Sequence, residues 1–450
     1  MKTSLIILAA GKGTRMNSDL PKVLHNVAGD PILIHAMAAG ATLAPQHTVV
    51  VAGHGAEEVA TAAHIFDETA QVVVQEQQLG TAHAVEQAKD ALAGFDGTAI
   101  VLYGDTPFVS PETLEDMMSA SEGADVVVLG FEAADPDRYG RLIMDGLSLE
   151  RIVEYKDATE QERALTLCNS GVIACNAALL FDLIDAVGNE NASGEYYLTD
   201  IVALARARGL SATAVTCDEA ETLGINTRAQ LAQAEAAFQT RARAALAADG
   251  VTLQAPETVY LARDTVIGRD TRIEPHVVFG PGVTVESNAT LRAFSHLEGC
   301  HVARGAVVGP YARLRPGTEL QENTRVGNFV EIKNAVVAEG AKVNHLSYIG
   351  DAFVGAHANI GAGTITCNYD GVMKHHTHIG AHSFIGSNTM LVAPVHIGDY
   401  AMTGSGSVIT SDVEPDALAL ARAPQIEKPG MARKLMDMLR AKKAKQQRGS

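Results

Sequence analysis

The sequence predicts two architectures in one chain: an α/β domain with a mostly parallel sheet, then an all-β parallel β-helix of hexapeptide repeats. A period carries the second. From Val266 to Ile409 a small or aliphatic side chain returns every six residues, as Ile267, Ile273, Phe279, Val285, Leu291 and Leu297. After a one-residue slip the beat resumes at Val302, Val308, Leu314, Leu320, Val326 and Ile332, then at Val337, Val343 and Ile349. It returns as Ile379, Ile385, Leu391 and Ile397. A helical period of about 3.6 residues and a strand period of about two both fail to fit. Hexapeptide periods belong to solenoids whose short strands form the flat sides of a prism, with the aliphatic residue pointing inward. Many beat positions sit beside a glycine, as in Ile267-Gly268, Ile360-Gly361 and Ile385-Gly386, and glycine and asparagine are expected at the tight corners.

The first architecture rests on alternation. Apolar runs at Leu5–Leu8, Val49–Val51, Val72–Val74, Ile100–Tyr103 and Val126–Leu129 read as strands, with helical stretches such as Thr81–Leu92 and Pro111–Ala120 between them. This order gives a Rossmann-like sheet with helices on both faces and ligands beyond the carboxyl ends of the strands. Arg228–Ala248 is rich in alanine, glutamine and charge and lacks glycine and proline, which predicts a long helix stopped by Gly250. The expected boundaries are 1–227 for the α/β domain, 228–249 for a helical linker, 250–427 for the β-helix and 428–450 for a basic C-terminal helix or tail.

Composition narrows the class. A chain of 450 residues exceeds what one core usually serves. A net charge of −18 argues against general binding to nucleic acid or a membrane surface. Five scattered cysteines, none in C-x-x-C spacing, read as reduced thiols. Met1–Ala10 reads as a short strand rather than a leader, and no apolar run is long enough to span a membrane. The expected location is the cytoplasm.

The chemistry of the first half begins where the first strand ends, at Leu8-Ala9-Ala10-Gly11-Lys12-Gly13-Thr14-Arg15-Met16, followed by Pro21-Lys22. A glycine-rich turn after a strand lets backbone N–H groups approach phosphate, and Arg15 and Lys22 add charge. This is not the G-x-G-x-x-G of dinucleotide dehydrogenases. L-A-A-G-x-G-T-R-M followed by P-K resembles the nucleotide-binding signature of sugar-1-phosphate nucleotidyltransferases. By that resemblance Gln75, Gly80 and Thr81 recognise uracil, and Tyr103-Gly104-Asp105 brings a magnesium ligand, Asp105, to a strand end. Gly140, Glu154 and Asn169 resemble the residues that hold the sugar, Gly194–Asp200 belongs to the same pattern, and Asn226 resembles a second metal-side ligand. In such a reaction a sugar phosphate attacks the α-phosphate of a nucleoside triphosphate. The attacking group is already anionic, so positioning and charge neutralisation by Mg²⁺, Arg15 and Lys22 suffice.

In the second half the hexapeptide beat breaks at Cys367–His378, which predicts a loop projecting from one face. His375, His376 and His378 lack an ordered metal-ligand spacing and read as solvated. Arg315, Lys333, His345, Tyr348 and Asn359 are more than a spacer needs. Asn344–Asp351 resembles the catalytic segment of hexapeptide acetyltransferases, and a histidine near neutrality suits proton removal from an amine.

The resemblance then covers essentially the whole chain: it is similar to the bacterial bifunctional N-acetylglucosamine-1-phosphate uridylyltransferase/glucosamine-1-phosphate acetyltransferase family. That likeness implies a left-handed prism, a homotrimer, and His345 as the acetyl-transfer base. It implies that Arg315, Lys333, Tyr348 and Asn359 hold the aminosugar phosphate, while Asn368, Tyr369, Ser387, Ser405 and Arg422 contact acetyl-CoA. It also implies UTP as co-substrate and glucosamine-1-phosphate and N-acetylglucosamine-1-phosphate as sugars, supplying peptidoglycan and lipopolysaccharide precursors. Two other readings stand beside it, a single-activity sugar nucleotidyltransferase with a scaffolding or regulatory solenoid and a silent assembly subunit. The prism alone offers a shallow shelf, so the inserted loop is expected to complete the acetyl-transfer site of a neighbouring chain.

Overall fold

Every residue of the first strand, β1 (Thr3–Ala9), is buried, so its side chains need cover on both faces. Leu5, Ile7 and Ala9 enter one apolar cluster with Leu33, Met37 and Met117. Ile6 and Leu8 enter another with Val85, Leu180 and Ile201. The structure is a computed structural model and describes residues 2–448. Its first unit runs to Ala245 and takes in Tyr260–Asp264, and its second comprises Leu246–Val259 and the chain from Thr265 onward.

In the first unit a small hairpin, β2 (Asn26–Val27) and β3 (Asp30–Pro31), precedes β4 (His47–Ala52), β5 (Gln71–Val74), β6 (Thr98–Tyr103) and β7 (Val126–Glu132). A second hairpin, β8 (Arg141–Asp145) and β9 (Ser148–Val153), leads to β10 (Leu167–Asn176) and β11 (Ala212–Cys217). The sheet order is β11-β7-β10-β6-β1-β4-β5. All neighbours on this path are parallel except β10, which runs antiparallel to β6 and β7. Helix Pro111–Ala120 appears as its sequence predicts, opened by Ser110, whose Oγ accepts the Thr113 N–H at 3.1 Å. The expected helix Thr81–Leu92 keeps α geometry only over Thr81–Glu86. Beyond it Gln87 N–H bonds Ala84 O and Lys89 N–H bonds Glu86 O, closing tighter turns.

Helix Arg228–Ala248 packs Leu231, Ala234 and Phe238 against Met16, Ile32, Phe108 and Ile225 of the same unit. Its buried Gln239 accepts the Leu261 N–H at 2.9 Å and donates to the Leu261 carbonyl at 2.7 Å. Arg263 then bonds Asp30 at 2.6 Å, which fastens the segment Tyr260–Asp264 to the unit.

The second unit is a left-handed parallel β-helix. Val278 lies beside His296 and Thr284 beside His301, so a coil takes 18 or 17 residues, three hexapeptides with an occasional residue omitted. All the periodic positions named above, from Ile267 to Ile397, are buried. The glycines beside them answer to a different constraint from the expected corner. Gly361 and Gly386 have ordinary φ, but a Cβ on either would meet the backbone nitrogen of Ser387 or Ser405 at 2.5 Å. They are required by the next coil lying directly on top of them. The left-handed corners go to asparagines, as expected, at Asn288, Asn323 and Asn388, to other glycines such as Gly305, Gly340 and Gly363, and to ring residues. His276, Phe294, Tyr311 and Phe329 take positive φ and stack in a column at 4.8, 4.9 and 5.4 Å, and that stacking offsets part of the backbone cost. Asn359 lies beside Phe384, so one coil takes 25 residues and ejects the loop after Cys367. A further helix spans Met431–Arg448, and its residues from Met431 to Gln447 are exposed. Met1, and Gly449 and Ser450 of the expected tail, lie outside the described residues. All five cysteines are free, and no helix among the described residues is long and apolar enough to cross a membrane.

Candidate active sites

The carboxyl ends of β1, β5 and β6 open onto a cleft of about 270 Å³. Leu8, Ala9, Ala10, Gly11, Lys22, Gln75, Gly80, Thr81, Tyr103 and Asp105 line it, together with Val23, Gln78, Ala84 and Glu195. Gly13 carries the turn: its φ is +59°, and a Cβ there would sit 2.6 Å from the Lys22 Cβ. The turn therefore packs on Lys22 and holds its ammonium inside the cleft. Lys22 Nζ donates to Asp105 Oδ2 and, at 3.1 Å, to Asn226 Oδ1. Gly104 donates its N–H to the Leu8 carbonyl at 2.9 Å, which ties the end of β6 to β1. Arg15 stands exposed on the turn Thr14–Met16, outside this lining.

Tyr103 fits only because Gly171, at φ +93°, has no Cβ; one would lie 2.6 Å from its ring. Burial, with Glu154 and Asp105 nearby, pushes the Tyr103 phenol up, so it remains a donor at all ordinary pH. The three residues expected to hold a sugar come together beside it. Gly140 O accepts the Asn169 N–H at 2.9 Å, and the space where Gly140 would carry a Cβ lies 3.4 Å from Glu154 Oε1. Glu154 accepts the Thr199 hydroxyl at 3.2 Å, and burial pushes its carboxyl up. A hollow lined by Glu154, Arg138, Lys156, Ser193 and Tyr197 continues from this group.

On the β-helix, Asp351 gathers the polar side chains. It accepts from Asn334 at 2.7 Å and from Asn368, and it faces Lys333 Nζ at 3.6 Å. Burial alone would push its carboxyl up, but the bonds from Asn334 and Asn368 and the charges of Lys333 and Lys374 hold it below the usual range. Asn368 Nδ2 also reaches the Tyr348 hydroxyl at 3.5 Å, and Tyr348 lies over Gly350, where a Cβ would meet its oxygen at 2.4 Å. Arg315 pairs with Glu331 at 2.9 Å. His345 is exposed, with Nδ1 2.9 Å from Asn328 Oδ1. An amide oxygen only accepts, so in the neutral ring the proton sits on Nδ1 and Nε2 is left bare.

Asn359 sits on a short strand between Lys342 and Phe384. Ser387 and Ser405 are exposed on successive coils, and the Arg422 guanidinium donates to the Ser405 carbonyl at 2.7 Å. The loop after Asn368 folds as a small hairpin. Tyr369 bridges Lys374, and Asp370 accepts the N–H groups of Val372 and Met373 and pairs with His375 at 2.7 Å. His378 stacks between Phe353 and His396, at 4.9 and 4.6 Å.

Several participants escaped sequence reasoning. Asp351 and Asn328 have no motif of their own, although Asp351 closes the segment that carries His345. Glu195 and Thr199 lie inside the Gly194–Asp200 run, which signalled a site without saying which side chains face it. Arg141 is 1% exposed, and its N–H groups all turn to backbone carbonyls, those of Pro136, Asp137, Tyr139 and Arg163. It fixes the loop before Gly140.

Family comparisons agree with both halves. The MobA-like NTP transferase domain matches residues 5–166, and the bacterial transferase hexapeptide repeat matches residues 264–299 and 376–411. Proteins named bifunctional protein GlmU align end to end. That of Roseobacter denitrificans is 73% identical over 450 residues, covering 100% of both chains. That of Ruegeria pomeroyi is 72% identical over 448 residues, again covering 100% of both. With a nucleotidyltransferase domain, a hexapeptide transferase domain and full-length identity of this order, the chain belongs to the bifunctional GlmU family of enzymes.

Proposed function

We propose that the chain makes UDP-N-acetylglucosamine in two steps at two sites. The β-helix transfers an acetyl group from acetyl-CoA to glucosamine-1-phosphate, and the α/β unit then couples N-acetylglucosamine-1-phosphate to UTP and releases pyrophosphate. The observation that carries the reading is the presence, on separate units, of a strand-end cleft that holds the Lys22 ammonium against Asp105 and Asn226 and of a surface that bears His345.

In the first step the amine of the sugar attacks the thioester carbonyl, the C–S bond breaks, and the bare Nε2 of His345 takes the proton that the amine loses. Asn328 holds the ring in the tautomer this needs. Arg315 and Lys333 supply positive charge for the sugar phosphate, with Tyr348 and Asn359 beside them. Asn368, Tyr369, Ser387, Ser405 and Arg422 are assigned to acetyl-CoA.

In the second step the sugar phosphate oxygen attacks the α-phosphorus of UTP, and the bond to the pyrophosphate oxygen breaks. Lys22 and Arg15 offset the charge of the triphosphate. The residues present fit a magnesium ion, because the oxygens of Asp105 and Asn226 converge on one cationic point, now served by Lys22 Nζ. Asp105 and Asn226 would hold the ion, which supplies further positive charge against the phosphates when bound. Gln75, Gly80 and Thr81 meet the base, while Gly140, Glu154 and Asn169 meet the sugar.

The protein is assigned to the cytoplasm as a homotrimer in which the Asn368–Lys374 loop of one chain completes the His345 site of the next. Mixing His345→Ala with Tyr369→Ala chains should restore acetyl transfer at roughly a quarter of the sites under random assortment. Mixed trimers no more active than either parent would place each site within one chain. The experiment for the whole reading is incubation with glucosamine-1-phosphate, acetyl-CoA, UTP and Mg²⁺, followed by mass analysis. UDP-N-acetylglucosamine is expected, and its absence would refute the assignment.

A further inference from the structure

The amide of Gln75 has one orientation, set jointly by the Gly80 carbonyl and by a residue behind the cleft. Gln75 is 3% exposed, and its amide nitrogen lies 3.1 Å from the Gly80 carbonyl oxygen. A carbonyl only accepts, so the group facing it must be the NH₂. The same nitrogen lies 2.9 Å from His83 Nδ1. Both amide protons are thereby directed away from the cleft, and Oε1 is the atom left for it.

The Gly80 carbonyl is itself immovable. Gly80 has φ +125°, and any Cβ would meet the Tyr196 carbonyl at 2.4 Å. Tyr196 N–H bonds Leu79 O at 2.9 Å and Ala82 N–H bonds Tyr196 O at 3.0 Å, clamping the turn from both sides. His83 lies outside the lining of the nucleotide cleft and faces a separate hollow with Glu86, Ile184 and Tyr196. Its Nε2 is 3.4 Å from the Gln87 amide nitrogen, too far to dictate the proton's place, while that nitrogen donates to the His83 carbonyl at 2.9 Å.

We propose that His83 is a specificity-positioning residue: as a neutral ring protonated on Nε2, it accepts from Gln75 and so presents the Gln75 oxygen to the base. The inference rests on the reading of this cleft as a UTP site. Uracil carries a donor at N3 between two carbonyl oxygens, so it meets Oε1 as a partner. Cytosine has a lone pair at N3, which would face the lone pairs of Oε1 unmatched. Without the His83 acceptor only the Gly80 carbonyl still holds the amide, so the turned-over form that offers NH₂ to cytosine costs less by one hydrogen bond. A 5-methyl group lies off this edge, so the device does not separate uracil from thymine.

The test compares kcat/KM for UTP and CTP, with N-acetylglucosamine-1-phosphate, in the wild type, His83→Ala, His83→Leu and His83→Asn. The Ala and Leu variants should lose about tenfold of the preference for UTP, the worth of one hydrogen bond. Asn places an acceptor near the position of Nδ1 and should keep the preference. The ratio of UTP to 5-methyl-UTP should not move in any of them. An unchanged UTP/CTP ratio in folded His83→Ala overturns the proposal, as does a wild type that uses both nucleotides equally. If the wild type turns over neither nucleotide, the assignment of the cleft fails instead. A measurement free of both substitution and turnover then decides the His83 claim, ¹⁵N NMR of histidine-labelled wild-type protein. A neutral His83 ring protonated on Nε2 is expected, and one protonated on Nδ1 refutes the mechanism.

Discussion

In the α/β unit the charged groups converge inward: the Lys22 side chain is 10% exposed and contacts Asp105 and Asn226 from distant parts of the chain. On the β-helix the groups lie along one surface, with His345 exposed and the Lys333–Asp351 pair spread over neighbouring coils. The difference follows from how each fold spends its glycines. In the first unit Gly13 and Gly80 let backbone turn at strand ends, so loops can wrap a hollow. In the second, Gly361 and Gly386 let coils stack without a gap, which leaves no room for a hollow inside. A prism can carry chemistry only on its faces, and its walls must come from a loop or from a neighbour.

The largest expected contrast is in metal dependence. Chelation with EDTA should abolish uridylyl transfer and leave acetyl transfer almost unchanged, because the paired oxygens of Asp105 and Asn226 serve only the first unit. Acetyl transfer that also required a divalent ion would erase the distinction and bring the loop histidines back as ligands.

Next is separability. A fragment ending at Ala248 should make UDP-N-acetylglucosamine from N-acetylglucosamine-1-phosphate and UTP. It lacks the Leu261 bonds to Gln239 and the Arg263–Asp30 pair, so one ending at Asp264 should melt several degrees higher. Equal melting points would mean that Tyr260–Asp264 adds nothing to the first unit.

Core truncation should separate the units energetically. Leu391→Ala and Ile385→Ala remove fully buried side chains from the prism and should each cost about 2–5 kcal/mol in denaturant unfolding of that unit. Uridylyl transfer measured below that transition should be unaffected. Loss of both activities together would show that the units unfold as one.

The smallest effect concerns acid. The Asp351 carboxyl is held below its usual range by Asn334, Asn368 and the lysines. Its stabilising contribution is therefore full above the unfolded carboxyl value and fades as pH falls through the lower folded one. Asp351→Asn should flatten the acid limb of the stability curve below about pH 4. An unchanged limb would remove Asp351 from the account of that surface.

The sequence made the prism legible because one side chain in six must be apolar, and Ile267 through Ile397 obey that rule without reference to any partner. It made the cleft legible because Gly11, Gly13 and Lys22 lie within one short motif. What it hid was whatever depends on neighbours in space. Asp351 becomes the hub of its surface only when the coils stack Asn334 and Asn368 around it. His83 reads as a plain helical residue until Gln75 is seen against it. The corner aromatics Phe294, Tyr311 and Phe329 carry no signal of positive φ, since their cost is offset by stacking on residues 17 or 18 positions away. The helix after Thr81 is shorter than its composition implies, because composition does not distinguish α turns from tighter ones.

The central claim is that two chemistries occupy two units of one chain, and a crossed assay of two folded variants tests it most directly. Asp105→Ala should lose uridylyl transfer by a hundredfold or more while keeping acetyl transfer, and His345→Ala should do the reverse, as expected for loss of a general base worth about 10²–10⁴-fold. If either variant, with its fold confirmed by circular dichroism, loses both activities to the same extent, the two-site account is wrong.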